Sequence, residues 1–170
     1  IAAGAHGTSL SEPVEVKVWD ADSGNLIHTL NGHVARISDV AFSPDGNQLL
    51  TCGRAGMRLW DTATGEQLWT ADGYAVSSAI HPDGELIATA HANGHVRLWD
   101  MASGERVGNM AGPRSLLSSI VWTPDGRRII TGSDDATISV WEPQSRLRLL
   151  TMRGHTHQVT GLAISRNRRR

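Results

Sequence analysis

A tryptophan followed by an acidic residue returns along this chain at nearly equal steps: Trp19-Asp20, Trp60-Asp61, Trp99-Asp100 and Trp141-Glu142, spaced 41, 39 and 42 residues apart. A unit of about 40 residues cannot bury its own apolar side chains, so units of this size are stable only when stacked on one another. The period restricts the chain to an array of like modules.

Two further signals keep the same beat. Ser43-Pro44-Asp45-Gly46, His81-Pro82-Asp83-Gly84 and Thr123-Pro124-Asp125-Gly126 each begin 17 or 18 residues before a Trp. Proline presets φ for the first central turn position, and glycine accepts the left-handed position that follows, so each is a hairpin turn. After each of the first three Trp comes Asp-x-x-Thr/Ser-Gly: Asp61 to Glu66, Asp100 to Glu105, and Asp20 to Asn25, where Asn takes the final place. That is the next hairpin. Between the turns, Val14–Trp19, Ile129–Ser133 and Thr137–Trp141 are rich in β-branched residues and largely alternate, which predicts short strands. No segment keeps a 3.6-residue apolar period between caps, so almost no helix is expected.

Gly32-His33, Ser43-Pro44-Asp45-Gly46 and Trp60-Asp61, repeated in phase over essentially the whole chain, resemble the WD-repeat β-propeller family. The resemblance implies an all-β fold of four-stranded antiparallel blades, with strands a to d in order and strand a lining a central channel. Laid on this chain it implies one propeller segment, 1–170, of four blade equivalents, forming part of a ring or a small one. Residues 1–30 supply strands b, c and d of a partial blade. Full blades follow at about 33–71, 74–111 and 114–152, and a lone strand a lies at 158–165. The family pattern also implies structural roles for Trp19, Trp60, Trp99, Trp141, His33 and His155. In it, the Gly-His imidazole bridges a turn Asp, a strand-b hydroxyl and the strand-c Trp. That network is incomplete here. The turn Arg54-Ala55-Gly56 lacks the Asp, Tyr74 and Pro113 stand where the His is due, and Thr51 is the candidate hydroxyl.

Composition narrows the function classes. A single Cys, Cys52, excludes an intramolecular disulfide framework and reads as a small buried apolar residue. The net charge of −1 gives no global field for nucleic acid or membrane, and no apolar run approaches the ~20 residues of a membrane span. The first residue is Ile1 and no leader pattern follows, so an intracellular, cytoplasmic setting and a piece of a longer protein are expected. The basic run Arg166 to Arg170, taken with Ser165, aligns with Thr123–Arg128 and reads as half of an a–b hairpin rather than a nucleic-acid tail. The residue due after Arg170 is the equivalent of Ile129, and Ile1-Ala2-Ala3-Gly4-Ala5 resembles that strand, so the two ends are in register.

Nothing in the sequence has the spacing of catalysis. There is no Gly-x-Ser-x-Gly elbow, no phosphate-cradling loop and no pair of carboxylates set for acid–base work. His91 and His95 are four apart, but Ala92-Asn93-Gly94 between them reads as a turn, and no Cys or carboxylate cluster completes a metal site. Asp20-Ala21-Asp22-Ser23-Gly24 departs from a calcium loop, because Gly is fifth and Asn31 twelfth. No enzyme activity, cofactor or metal is expected. The resemblance implies a protein-interaction scaffold for other proteins or peptides; the rival expectation is an accessory propeller domain of a hydrolase or other enzyme. The candidate partner-binding residues on the d–a and b–c loops are Arg36, Arg54, Tyr74, His91, Arg114, Asp134 and His157. WD-repeat rings resemble seven- or eight-bladed closures. Self-association is therefore a further expectation, as is pairing of 158–165 with residues 1–5, which brings His155 near Trp19.

Overall fold

Apolar–polar alternation in the sequence becomes alternation of burial. Along β2 (Val14–Trp19), Val14, Val16 and Val18 are buried while Glu15 is exposed and Lys17 half-buried. Side chains point to opposite faces at successive positions of a strand, so the three valines share the core face. The structure, a computed structural model, describes residues 1–4, 14–112 and 114–165. Pro113, Ala5 and the basic run after Ser165, with both readings of that run, lie outside the described residues.

The described residues form an all-β fold with no helix. β1 (Ala2–Gly4), β2 and β3 (Leu26–His33) make a three-stranded antiparallel sheet. β4 (Ile37–Phe42), β5 (Gln48–Gly53), β6 (Gly56–Asp61) and β7 (Gln67–Ala71) make a four-stranded one. β8 (Ser77–Ile80), β9 (Leu86–Ala90), β10 (His95–Asp100) and β11 (Arg106–Ala111) repeat it, as do β12 (Leu117–Trp122), β13 (Ile129–Ser133), β14 (Ile138–Glu142) and β15 (Leu147–Met152). Every sheet is a meander of consecutive strands, and the three four-stranded ones have the a-b-c-d order of a blade. The expected turns close it. Gly46 takes φ 77° and donates its N–H to the Ser43 carbonyl at 2.9 Å; at the next hairpin the Gly65 N–H reaches the Asp61 carbonyl at 2.9 Å.

The chain falls into two compact units, residues 1–75 and 76–170. In the first, Val14, Val16, Val18 and Leu30 meet Ile37, Leu49 and Trp60, so the three-stranded sheet packs on β4–β7. In the second, Ala88, Val96, Leu98 and Met110 meet Leu117, Ile120, Ile129 and Trp141, so β8–β11 packs on β12–β15. Cys52 is fully buried.

One expected element differs. Residues 158–165 carry no strand, and β1 is the outer strand of its sheet. A strand persists only where its alternate N–H and C=O groups find a ladder partner. The start of the segment is anchored. The Val159 N–H donates to the Ser133 carbonyl at 3.1 Å, the Ser118 hydroxyl donates to the Val159 carbonyl, and Val159 is buried. Leu117 is held in the same way, its N–H on the His91 carbonyl at 3.3 Å. Val159 thus occupies the place that begins a strand a, without the ladder.

Candidate functional site

Each of the three four-stranded sheets holds a threonine at the centre of its second strand, opposite the position two before the Trp: Thr51, Thr89 and Thr131, paired with Arg58, Arg97 and Ser139. All three are fully buried. Each hydroxyl accepts the indole N–H of its blade's Trp: Trp60 to Thr51 at 2.9 Å, Trp99 to Thr89 at 2.8 Å and Trp141 to Thr131 at 2.9 Å. A buried indole N–H without a partner costs about 1–3 kcal/mol, so the threonine lets a large apolar residue be buried whole.

The imidazole that completes the bridge enters by two routes. In β4–β7 it is His33, at the end of β3, with Nε2 2.7 Å from the Thr51 hydroxyl. In β8–β11 the loop position is Tyr74, and the imidazole comes from the sheet itself: His91 Nε2 lies 2.9 Å from the Thr89 hydroxyl. This corrects the placing of His91 on the partner-binding face, because the side chain is only 3% exposed. Two residues along a strand return to the same face, so Thr89-Ala90-His91 carries both groups to the Trp. Where β5 has Gly53 at the His91 position, the loop His fills the role. In β12–β15 the position is Ser133, whose hydroxyl bonds to the Ser115 hydroxyl and Leu116 carbonyl at 3.1 Å, and Trp141 keeps its threonine alone. The sequence signal for this route is Thr-x-His with its Thr ten residues before a Trp-Asp.

The missing turn Asp has a visible consequence. His33 is 1% exposed and its Nδ1 has no partner among the described residues. Burial, helped by the Arg58 guanidinium, lowers its pKa from 6.5 to about 4. Folded His33 therefore stays neutral while the unfolded chain takes up a proton below pH 6.5. Stability from this group is full above pH 6.5 and declines as pH falls towards 4, by roughly 2–3 kcal/mol. Thermal melts at pH 7.5 and 4.5 should show this loss, and His33→Gln should shrink it. An unchanged pH profile in that variant would contradict the assignment.

Other described histidines hold the blades together. His28 Nε2 lies 3.1 Å from the Thr62 carbonyl of the next sheet. His81 pairs Nδ1 with Asp83, sets Nε2 2.9 Å from the Gly126 carbonyl, and meets Trp122 edge-on at 4.5 Å. Turn carboxylates are held by their own turns: the Ser23 hydroxyl lowers the pKa of Asp20, the Ser43 hydroxyl that of Asp45, and the Thr64 and Ser103 N–H groups those of Asp61 and Asp100. No group of three or more His, Cys, Asp or Glu among the described residues is arranged to hold a metal ion.

Two expected structural residues stand apart. Trp19 is half-buried; the residue opposite Lys17, where the other sheets have threonine, is Ala3, so its indole meets no hydroxyl there. His155 is exposed in an open cleft with Ile138, Met152, Arg153 and Gly154.

The remaining loop residues cluster unit by unit. In the first, the Arg54 N–H bonds to the Arg36 carbonyl at 3.1 Å, which ties the b–c turn to the connection before β4. Arg36 and Arg54 are exposed, with Val34 at 55% and Tyr74 at 44%. In the second, the Asp134 N–H bonds to the Leu116 carbonyl at 3.0 Å in the matching place, and Arg114, Asp134 and His157 are exposed. Backbone bonds fix the two b–c turns at Arg54 and Asp134, whose side chains are exposed. No helix among the described residues is long and apolar enough to cross a membrane.

The family model described as "WD domain, G-beta repeat" matches residues 24–61, 65–100 and 104–142, more than half of the chain. A guanine nucleotide-binding protein subunit beta from Saccharomyces cerevisiae is 31% identical, over 79% of this chain and 34% of its own length. A nuclear distribution protein PAC1 from Arthroderma otae is 29% identical over 86% of this chain and 36% of its own. The telomerase protein component 1 of Rattus norvegicus is 25% identical over 79% of this chain and 5% of its own. The chain thus spans about a third or less of these relatives. Among solved structures, the RRP9 WD40 repeats superpose with a TM-score of 0.72 at 19% identity, covering 76% of this chain and 42% of that one.

Proposed function

The chain belongs to the WD40 family of G-beta repeats, and from that premise we propose that it is a non-catalytic scaffold that binds other proteins or peptides through its d–a and b–c loops, as part of a larger propeller protein. The observation that carries this reading is that backbone bonds tie Arg54 to Arg36 and Asp134 to Leu116 while Arg36, Arg54, Tyr74, Arg114, Asp134 and His157 are all exposed. Rigid blades beneath variable loops let surface residues be chosen for a partner without cost to the core. Arg and Tyr, on four of these six positions, are enriched at binding hot spots. Two relatives are named as a subunit and a component, which supports a life within assemblies. The single Cys, buried, fits the reducing interior of a cell, and the cytoplasm is the proposed compartment.

Arg36→Glu with Arg114→Glu tests this. Both side chains are exposed, so the melting temperature should stay within about a degree or two, as surface changes shift stability by about ±0.5 kcal/mol. Binding in pull-down should weaken tenfold or more. Unchanged binding, with loss on substituting the opposite c–d turns, would place the partner on the other side.

A further inference from the structure

Two ladder positions set how many cations each sheet carries beside its Trp. One lies two residues before the Trp on the same strand; the other faces the Trp from the strand that follows. The pairs are Lys17 with Leu26, Arg58 with Gln67, Arg97 with Arg106, and Ser139 with Arg148. Three sheets thus hold one cation at these positions, and β8–β11 holds two. Residues two apart on a strand share a face, and long side chains reach each other on the diagonal of a ladder. Arg97 and Arg106 form such a diagonal, because Arg106 faces Trp99, two residues beyond Arg97.

The sheet β4–β7 shows how a single guanidinium is satisfied. Arg58 Nη1 donates to Gln67 Oε1 at 2.6 Å, and Nη2 donates to the Gly32 carbonyl at 2.8 Å. In β8–β11 the place of Gln67 is taken by Arg106, which has donors and no acceptor. Neither Arg97 nor Arg106 has a hydrogen-bond or ion-pair partner for its guanidinium among the described residues. The carboxylates beside them in sequence do not serve. Asp100 holds the Ser103 N–H and hydroxyl, both at 2.8 Å, and Glu105 forms no ion pair among the described residues. Arg97 is half-buried, with its Nε out of solvent and unpartnered, while Arg106 is exposed. Burial, and then the Arg106 charge, lower the pKa of Arg97, as expected of two like charges held close in a partly dry place. Opposite Arg97 stands the exposed Asn109, its Oδ1 3.0 Å from His95 Nδ1, which leaves the amide N–H groups as further donors. We propose that Arg97 and Arg106 form a binding site for a phosphate dianion, free or esterified to a partner. Two guanidinium forks match phosphate oxygens in geometry, and a phosphate monoester carries about two negative charges, where a carboxylate carries one. The site lies on the sheet rather than on the d–a and b–c loops, and does not rest on the scaffold reading.

Titration with inorganic phosphate at fixed pH and ionic strength, followed by nuclear magnetic resonance of the arginine side chains, tests the proposal. The Arg97 and Arg106 signals are expected to shift together and to saturate. Arg106→Gln installs the Gln67 arrangement and should weaken phosphate binding by about tenfold or more, because a charge-assisted contact is lost. Arg106 is exposed, so the β-sheet circular dichroism should match the parent's. Arg106→Ala, which brings in no new acceptor, should weaken binding to a similar degree. Signals that do not move, affinity unchanged in both variants, or acetate bound as tightly as phosphate would overturn the proposal. A glycine-serine peptide with one phosphoserine separates the sources. Binding of this peptide, and not of its unphosphorylated form, assigns the phosphate to a partner's side chain. Its exclusion, while inorganic phosphate still binds, assigns the free ion. None of these outcomes bears on the loop-face reading, which the Arg36 and Arg114 substitutions test separately.

Discussion

Trp60→Ala should lower the unfolding free energy by about 3–5 kcal/mol, the loss expected when a buried aromatic is replaced by a methyl group and a cavity remains. Trp60 is 3% exposed and packs with Leu49, Ile37 and the valines of β2, so its removal opens the seam between two sheets. The substitution also deprives the Thr51 hydroxyl of its donor. Against a stability of about 5–15 kcal/mol for a whole domain, this is a large fraction. Urea unfolding of parent and variant measures it. A loss below about 1 kcal/mol would contradict the placing of β6 and the packing drawn around it.

The second large effect comes from a change of nearly equal volume. Thr89→Val keeps the shape of the side chain and removes the hydroxyl that serves both Trp99 and His91. Two buried polar groups then lose their partner, at about 1–3 kcal/mol each, so a total of roughly 2–5 kcal/mol is expected. Thr131→Val is the internal comparison, because the Thr131 hydroxyl serves the Trp141 indole and no imidazole. It should cost about half as much. Equal losses at the two sites, measured by denaturant unfolding, would mean that His91 adds nothing to the bridge.

Much of the fold was legible because its determinants are local. Pro-Asp-Gly turns and Asp-x-x-Thr/Ser-Gly turns locate the hairpins, and the Trp-Asp step marks the third strand, so the sheets fall where the repeats predict. The bridge was harder to read because its imidazole is not tied to one place in the repeat. His33 carries the Gly-His signature and was found. His91 sits beside a turn, where charged and polar residues are usually solvated, and only its register with Thr89 shows that it points inward. Trp19 shares the Trp-acidic dipeptide of Trp60, Trp99 and Trp141, but its burial depends on what faces it, and Ala3 stands where the accepting threonine would be. The segment 158–165 has the apolar alternation of a strand, yet alternation supplies no ladder partner.

Whether partners approach through the d–a and b–c loops is the claim on which the functional reading depends. A photo-crosslinking amino acid placed at Arg54, on a b–c turn, or at Thr64, on a c–d turn, tests it most directly, since both positions are exposed and neither belongs to the core. After irradiation in cell lysate, a defined protein adduct is expected from position 54 and none from position 64. An adduct from position 64 alone would contradict it.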